Sequence, residues 1–184
     1  MPNTDPIAAL AEVDPKKISN DEFVALLSAA SELADSGAEV DLSSLEPQKF
    51  ARLVSRASKD QIEAVMVRPE LRVKVLDEVF RRMGTHFRPD RAGSATAVVH
   101  WRITRPEPDS HDRYEMVIDS GRCTVNKDNV GEPRVSVTVS PLDFLKLVTG
   151  NGSAPVMFMT GKLKIKGDLG FAAGLMNLFD VPKA

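Results

Sequence analysis

The chain has 184 residues, 42% apolar and 27% charged, with 24 basic against 26 acidic side chains. That suffices for one domain, or one domain with a helical appendage, and leaves too little for two full catalytic domains; it also excludes a chain disordered throughout and a collagen-like repeat. No run approaches the roughly 18 apolar residues of a spanning helix, Met1 to Leu10 lack the basic start and apolar run of a leader, and the lone Cys123 suits a reducing compartment, so the expected location is cytoplasmic.

Charge and glycine divide the chain. Residues 1–70 carry 7 Lys/Arg and 13 Asp/Glu, residues 71–184 carry 17 and 13, and ten of the 11 glycines lie at or beyond Gly84. The division expected is an acidic helical segment, 1–70, of unassigned role, and a mixed domain, 71–184. Ser19 and Glu22 form a capping box before Phe23, Leu26, Leu27, Ala30, Leu33 and Ala34, a 3.6-residue period that Gly37 is expected to stop. A second helix is expected to start near Ser43 or Ser44 and bury Phe50, Leu53, Val54 and Ala57. Ser58 with Gln61 opens a third. Pro69 interrupts, a fourth runs from Leu71 to Met83, and Gly84 closes it.

Alternation then takes over. Ala97, Val99, Trp101 and Ile103 share one face of a strand; Tyr114, Met116 and Ile118 share one face of the next. Asp119-Ser120-Gly121-Arg122 is a hairpin turn into Cys123 and Val125, and Val135, Val137 and Val139 form a fourth strand. Short connections between strands with one apolar face predict an antiparallel meander covered on one side. Ser140-Pro141-Leu142-Asp143 starts a helix that ends at Gly150; Ser153 and Pro155 open a short one that ends at Gly161. Lys162-Leu163-Lys164-Ile165-Lys166 is the fifth strand, and Asp168 caps a last helix turned inward through Phe171, Leu175, Leu178 and Phe179.

The segment Pro141 to Gly150, the run Phe158-Met159-Thr160-Gly161-Lys162-Leu163-Lys164-Ile165-Lys166-Gly167-Asp168, and the helix ending Leu178-Phe179 resemble the sterol carrier protein type-2 family. The resemblance is specific over about residues 140–180 and extends to about residue 71. It implies an α+β fold, a five-stranded antiparallel sheet with helices on one face enclosing an apolar tunnel for sterols, fatty acids, fatty acyl-CoA or phospholipids. Residues 1–70 lie outside it.

By apolar period alone the Phe, Leu and Met stripes are core; under the resemblance they become tunnel. Ile103, Met116, Ile118 and Val137 are then the floor, and Phe144, Val148, Met157, Phe158, Met159, Phe171, Leu175 and Phe179 the walls and roof, where flexible methionines suit an adaptable pocket.

Catalytic patterns are missing: no GxSxG, HExxH, CxxC or GxGxxG precedes a helix, and Thr160-Gly161-Lys162 lacks the first glycine of a phosphate loop because position 156 is Val156. His86, His100 and His111 fall on a helix end, an outward strand position and a loop, without metal-ligand spacing. Cys123 points inward and reads as inert. No enzyme activity, cofactor, metal or nucleic-acid partner is expected. Lys162, Lys164 and Lys166 share a face that can meet an anionic membrane transiently, and the acidic N-terminal helices can dock a protein partner. The leading expectation is non-enzymatic binding, with transfer, of a lipid. The alternative is a ligand-free accessory or interaction module serving an enzyme or a homodimer.

Overall fold

The computed structural model describes residues 5–36 and 42–180; Gly37, expected to end a helix, lies outside them. The chain forms two compact units, one of residues up to Glu78 with Thr149–Asn151, the other of Val79–Val148 and Gly152–Val181.

In the first unit, α1 (Pro6–Glu12) starts where Asp5 accepts a hydrogen bond from the Ile7 N–H, a helix the sequence reading did not anticipate. α2 (Asn20–Asp35) opens on the expected box, with the Glu22 carboxylate accepting from the Ser19 N–H at 2.7 Å and the Ser19 hydroxyl from the Glu22 N–H at 3.1 Å. The second helix starts later than expected: Leu42–Ser44 is a single tight turn, and α3 (Pro47–Arg56) begins at its proline. α4 (Lys59–Met66) carries the Ser58/Gln61 box, and the Gln61 amide also donates to the Pro15 and Ile18 carbonyls. Asp14 clamps the Arg56 guanidinium through both carboxylate oxygens, at 2.8 and 2.7 Å, which holds the carboxyl well below its usual range. α5 (Pro69–Thr85) begins at Pro69 in this unit, passes into the second unit at Val79 and runs past Gly84, which therefore does not close it.

The second unit contains α6 (Pro89–Ala92), β1 (Ala97–Thr104), β2 (His111–Asp119), β3 (Arg122–Asn126), β4 (Val135–Val139), α7 (Pro141–Val148), α8 (Ala154–Met159), β5 (Leu163–Gly167) and α9 (Leu169–Leu175). The five strands run β3-β2-β1-β4-β5 across one sheet. The expected meander is wrong at one place: β4 lies beside β1 and parallel to it, so the sheet is mixed. The register gives the reason. β3 ends at Asn126 opposite Glu115, which faces His100, and β4 begins at Val135 opposite Val99, so both strand ends stand at the same height. The connection, residues 127–134, has to move sideways across three strand spacings, about 14 Å, which eight extended residues cover easily, at about 3.3 Å each. It crosses the sheet where Gly131 donates to the Glu115 carboxylate at 2.9 Å and a Cβ on Gly131 would meet the Val98 methyls at 3.2 Å.

The other face holds the core. Val99, Trp101, Ile103, Met116, Ile118, Val135, Val137 and Val139 are all buried on it. Phe80 of α5 stacks on Tyr114 at 4.0 Å between ring centroids and on Phe144 of α7 at 4.9 Å, and Trp101 packs edge-on against both phenylalanines.

Candidate functional site

One row of the sheet reads Tyr114, Trp101, Val137, Ile165 across β2, β1, β4 and β5. At its β2/β1 end the four-ring cluster fills the space above the strands. At its β5 end lies an apolar pocket of about 230 Å³. α8 contributes Ala154, Pro155, Phe158 and Met159, β5 contributes Leu163 and Ile165, and α9 contributes Leu169, Ala172 and Ala173.

Local sequence explains each wall. Pro155 in the first turn starts α8, and Gly161, at φ +77°, turns the chain into β5. Alternation sends Leu163 and Ile165 toward the pocket and Lys164 and Lys166 to the opposite face. Gly167, at φ +110°, lies so close to β4 that a Cβ would come 2.5 Å from the Arg134 carbonyl oxygen, and no larger residue fits. Asp168 then caps α9 by accepting the Phe171 N–H at 2.9 Å. Arg134 pairs with Asp168 at 3.0 Å and lays its guanidinium 4.3 Å over the Phe171 ring. The Phe171 N–H and Arg134 together hold the Asp168 carboxyl below its usual range.

Of the residues anticipated from sequence, Phe158 and Met159 border this pocket, exposed at 45% and 85% at its mouth. Ile103, Met116, Ile118 and Val137 are buried in the sheet, and Phe144 sits within the aromatic cluster. Val148, Met157, Leu175 and Phe179 are buried, Phe179 against Phe87; Phe171 is half-buried under Arg134. The sequence reading missed Leu163, Ile165 and the alanines of α9. Their signal was available: two adjacent alanines, between glycines at 170 and 174, leave room opposite the inward residues of β5.

The reverse face corrects two assignments. His100 is not an outward surface histidine: it is buried, with Nε2 3.0 Å from Glu115, and Glu115 is buried beneath the 127–134 crossing. The Gly131 N–H, and then His100, hold the Glu115 carboxyl below its usual range against the opposing effect of burial. His111 opens β2 rather than lying in a loop; burial first, then Arg113, Arg102 and Arg105, depress its pKa. Burial pushes the Cys123 thiol up to about 12, far from a nucleophile's range.

Fold and pocket together define an α+β domain with a one-sided sheet and an apolar recess between its last strand and the helices around it. Residues 76–180 match the model of the SCP-2 sterol transfer family, and the chain belongs to that family. It is 42% identical over 53 residues to a fatty acid-binding protein of Yarrowia lipolytica, covering 29% of this chain and 41% of that protein. It is similar in fold to the sec-alkylsulfatase Pisa1 of a Pseudomonas species, with a TM-score of 0.51 at 14% identity over 96% of this chain and 32% of the sulfatase. A sterol carrier protein 2-like protein of Aedes aegypti aligns with a TM-score of 0.46 at 18% identity over 61% of this chain and 99% of that one. The chain thus spans well under two thirds of the length of the first two.

Proposed function

We propose that this protein binds a lipid without transforming it, holding an apolar chain in the pocket between α8, β5 and α9, and that it carries lipid between sites in the cytoplasm. The observation that supports this best is the lining: alanine, proline, phenylalanine, methionine, leucine and isoleucine, with no titratable side chain. Such a wall offers transfer free energy and no general acid, base or nucleophile. A cavity of about 150 Å³ accepts benzene, so this one accepts about nine carbons, worth roughly 7 kcal/mol gross at about 0.8 kcal/mol per methylene.

Phe158 and Met159 touch the ligand in this reading. Met157, Phe171 and Leu175 back them, and Ile103, Met116, Ile118, Val137, Phe144, Val148 and Phe179 join only where a longer ligand opens a path inward. About nine carbons of an acyl chain fit the recess as it stands; longer chains, sterols and phospholipids require it to widen. Residues 71–184 are the binding domain, and 1–70 are an acidic segment that docks a protein partner. Among the described residues no helix is long and apolar enough to cross a membrane.

A second reading, an accessory module within a larger enzyme assembly, draws on the fold likeness in which nearly this whole chain matches a third of an alkylsulfatase. Native mass spectrometry of the purified protein, with extraction and identification of bound lipid, separates the two. A stoichiometric lipid is expected. Protein that stays empty when offered acyl chains, sterols and phospholipids overturns the lipid reading in favour of the module.

A further inference from the structure

Among the described residues, four of the six large exposed apolar side chains lie on α8 and at the start of α9; the other two are Val67 and Val130. Phe158, Met159 and Leu169, 45%, 85% and 54% exposed, belong to the pocket wall, and Val156, 57% exposed and outside that lining, continues the rim along α8. Residues 154–167 contain three lysines and no aspartate or glutamate. β5 is an edge strand, so an object approaching that edge meets the apolar rim on one flank and Lys164 and Lys166 on the other.

The cationic flank continues inward. Arg113, Arg102, Thr138 and Lys164 form one row across four strands, with Arg102 directly opposite Arg113. All three cations are exposed, and none pairs with a carboxylate among the described residues. Like charges placed opposite one another are destabilising unless a counter-charge arrives from outside. Burial is the first cause of the depressed His111 pKa, and Arg113 and Arg102 of this row add to it.

We propose that the β5 edge is a docking surface for an anionic lipid bilayer, with Lys162, Lys164 and Lys166 on the headgroups and the exposed apolar tip of α8 entering the headgroup boundary. Apolar side chains beside cations are the composition of a peripheral bilayer-binding surface. A nucleic-acid strand would need stacking aromatics interleaved with the cations, and the cationic row has none. A purely acidic protein surface would leave the apolar rim unused. The inference deepens the lipid reading: docking here brings the pocket mouth to the membrane from which a lipid enters.

The test is co-sedimentation of the full chain with phosphatidylcholine vesicles, with and without phosphatidylglycerol, at low and high salt. Binding that requires phosphatidylglycerol and weakens with salt is expected. Exchanging Lys162, Lys164 and Lys166 for glutamine lowers partitioning about fivefold for each lysine removed. Val156→Asp, on the rim but outside the pocket lining, lowers it independently. All four positions are exposed, and an unchanged circular dichroism spectrum confirms folding. Equal binding to both vesicles, insensitivity to the substitutions, or capture of poly-glutamate in place of vesicles overturns the proposal. Uptake of a soluble acyl probe, measured separately, isolates the pocket: the lysine variants still load it if pocket and docking surface are distinct, whereas a wild type that binds vesicles and never loads the probe sinks the lipid reading and leaves the docking surface standing.

Discussion

The two ends of one sheet row behave as opposites. Above Tyr114 and Trp101, four aromatic rings pack at centroid distances of 4.0 to 6.1 Å and every ring is buried. Above Ile165, the alanines of α8 and α9 leave about 230 Å³ unfilled. Both ends are built from strands of the same alternating pattern, so what separates them is side-chain volume on the covering helices. The lesson is that the strand pattern alone does not determine where a fold of this kind is solid and where it is hollow.

The largest effect should come from hollowing the solid end. Phe144 has no exposed surface and touches both Phe80 and Trp101. Phe144→Ala should cost about 3–5 kcal/mol in urea denaturation. A loss below about 1 kcal/mol would mean that the cluster collapses around the gap, and that the two ends are less different than their packing implies.

The solid end has an anchor on its reverse. Glu115 accepts from Gly131 and is hydrogen-bonded to His100, tying the 127–134 crossing to the sheet. Glu115→Ala leaves the buried His100 and the half-buried Gly131 N–H without that partner and should cost about 2–3 kcal/mol. Because the folded carboxyl lies below its ordinary value of 4.5, its contribution is complete above that pH and is lost as pH falls through the depressed folded value. Glu115→Gln keeps the shape, and should flatten the acid limb of a stability–pH curve while costing about 1 kcal/mol at neutral pH. An acid limb identical to wild type would assign the acid sensitivity to other carboxylates.

Much of this contrast was legible in the residues. The capping boxes at Ser19 and Ser58, the proline starts of α7 and α8, the strand faces and the Asp168 cap all follow from local chemistry, and local chemistry decides them. The parallel β1–β4 pair was not, since strand pairing depends on where a long connection lands, and nothing within residues 127–134 states that they cross the sheet rather than turn back. His100 was misplaced for the same reason: its side chain points away from the aromatic core, as alternation says, but the crossing covers it. The pocket was half legible. A list of large apolar residues finds the mouth at Phe158 and Met159; the void itself is made by small residues, which such a list passes over.

At the hollow end, Ile165 is half-buried and already borders free space. Ile165→Ala should therefore cost about 1–2 kcal/mol, at or below the low end of the range for buried isoleucines. Binding of a fluorescent acyl probe should change more than stability does, because the floor of the recess moves. A cost matching that of Phe144→Ala would show that the recess closes over Ile165 in solution.

The smallest effect on folding should accompany the largest effect on binding. Ala172 lies in the pocket wall on α9, half-buried and facing unfilled space. A phenylalanine there adds apolar volume where none has to be displaced, so the overpacking cost of a filled core, about 1–3 kcal/mol, does not arise, and burial of the new ring offsets its lost rotamer freedom. Stability should stay within about 1 kcal/mol of wild type while acyl-probe uptake falls away. The same substitution at a solid site would do the reverse, destabilising the fold with no effect on a ligand that never reaches it. If Ala172→Phe unfolds the second unit, the space beside α9 is not free, and the line between the solid and hollow ends has to be redrawn toward β5. If it folds and still loads the probe at wild-type affinity, the chain binds its ligand elsewhere on the apolar face, and the aromatic cluster becomes the place to look.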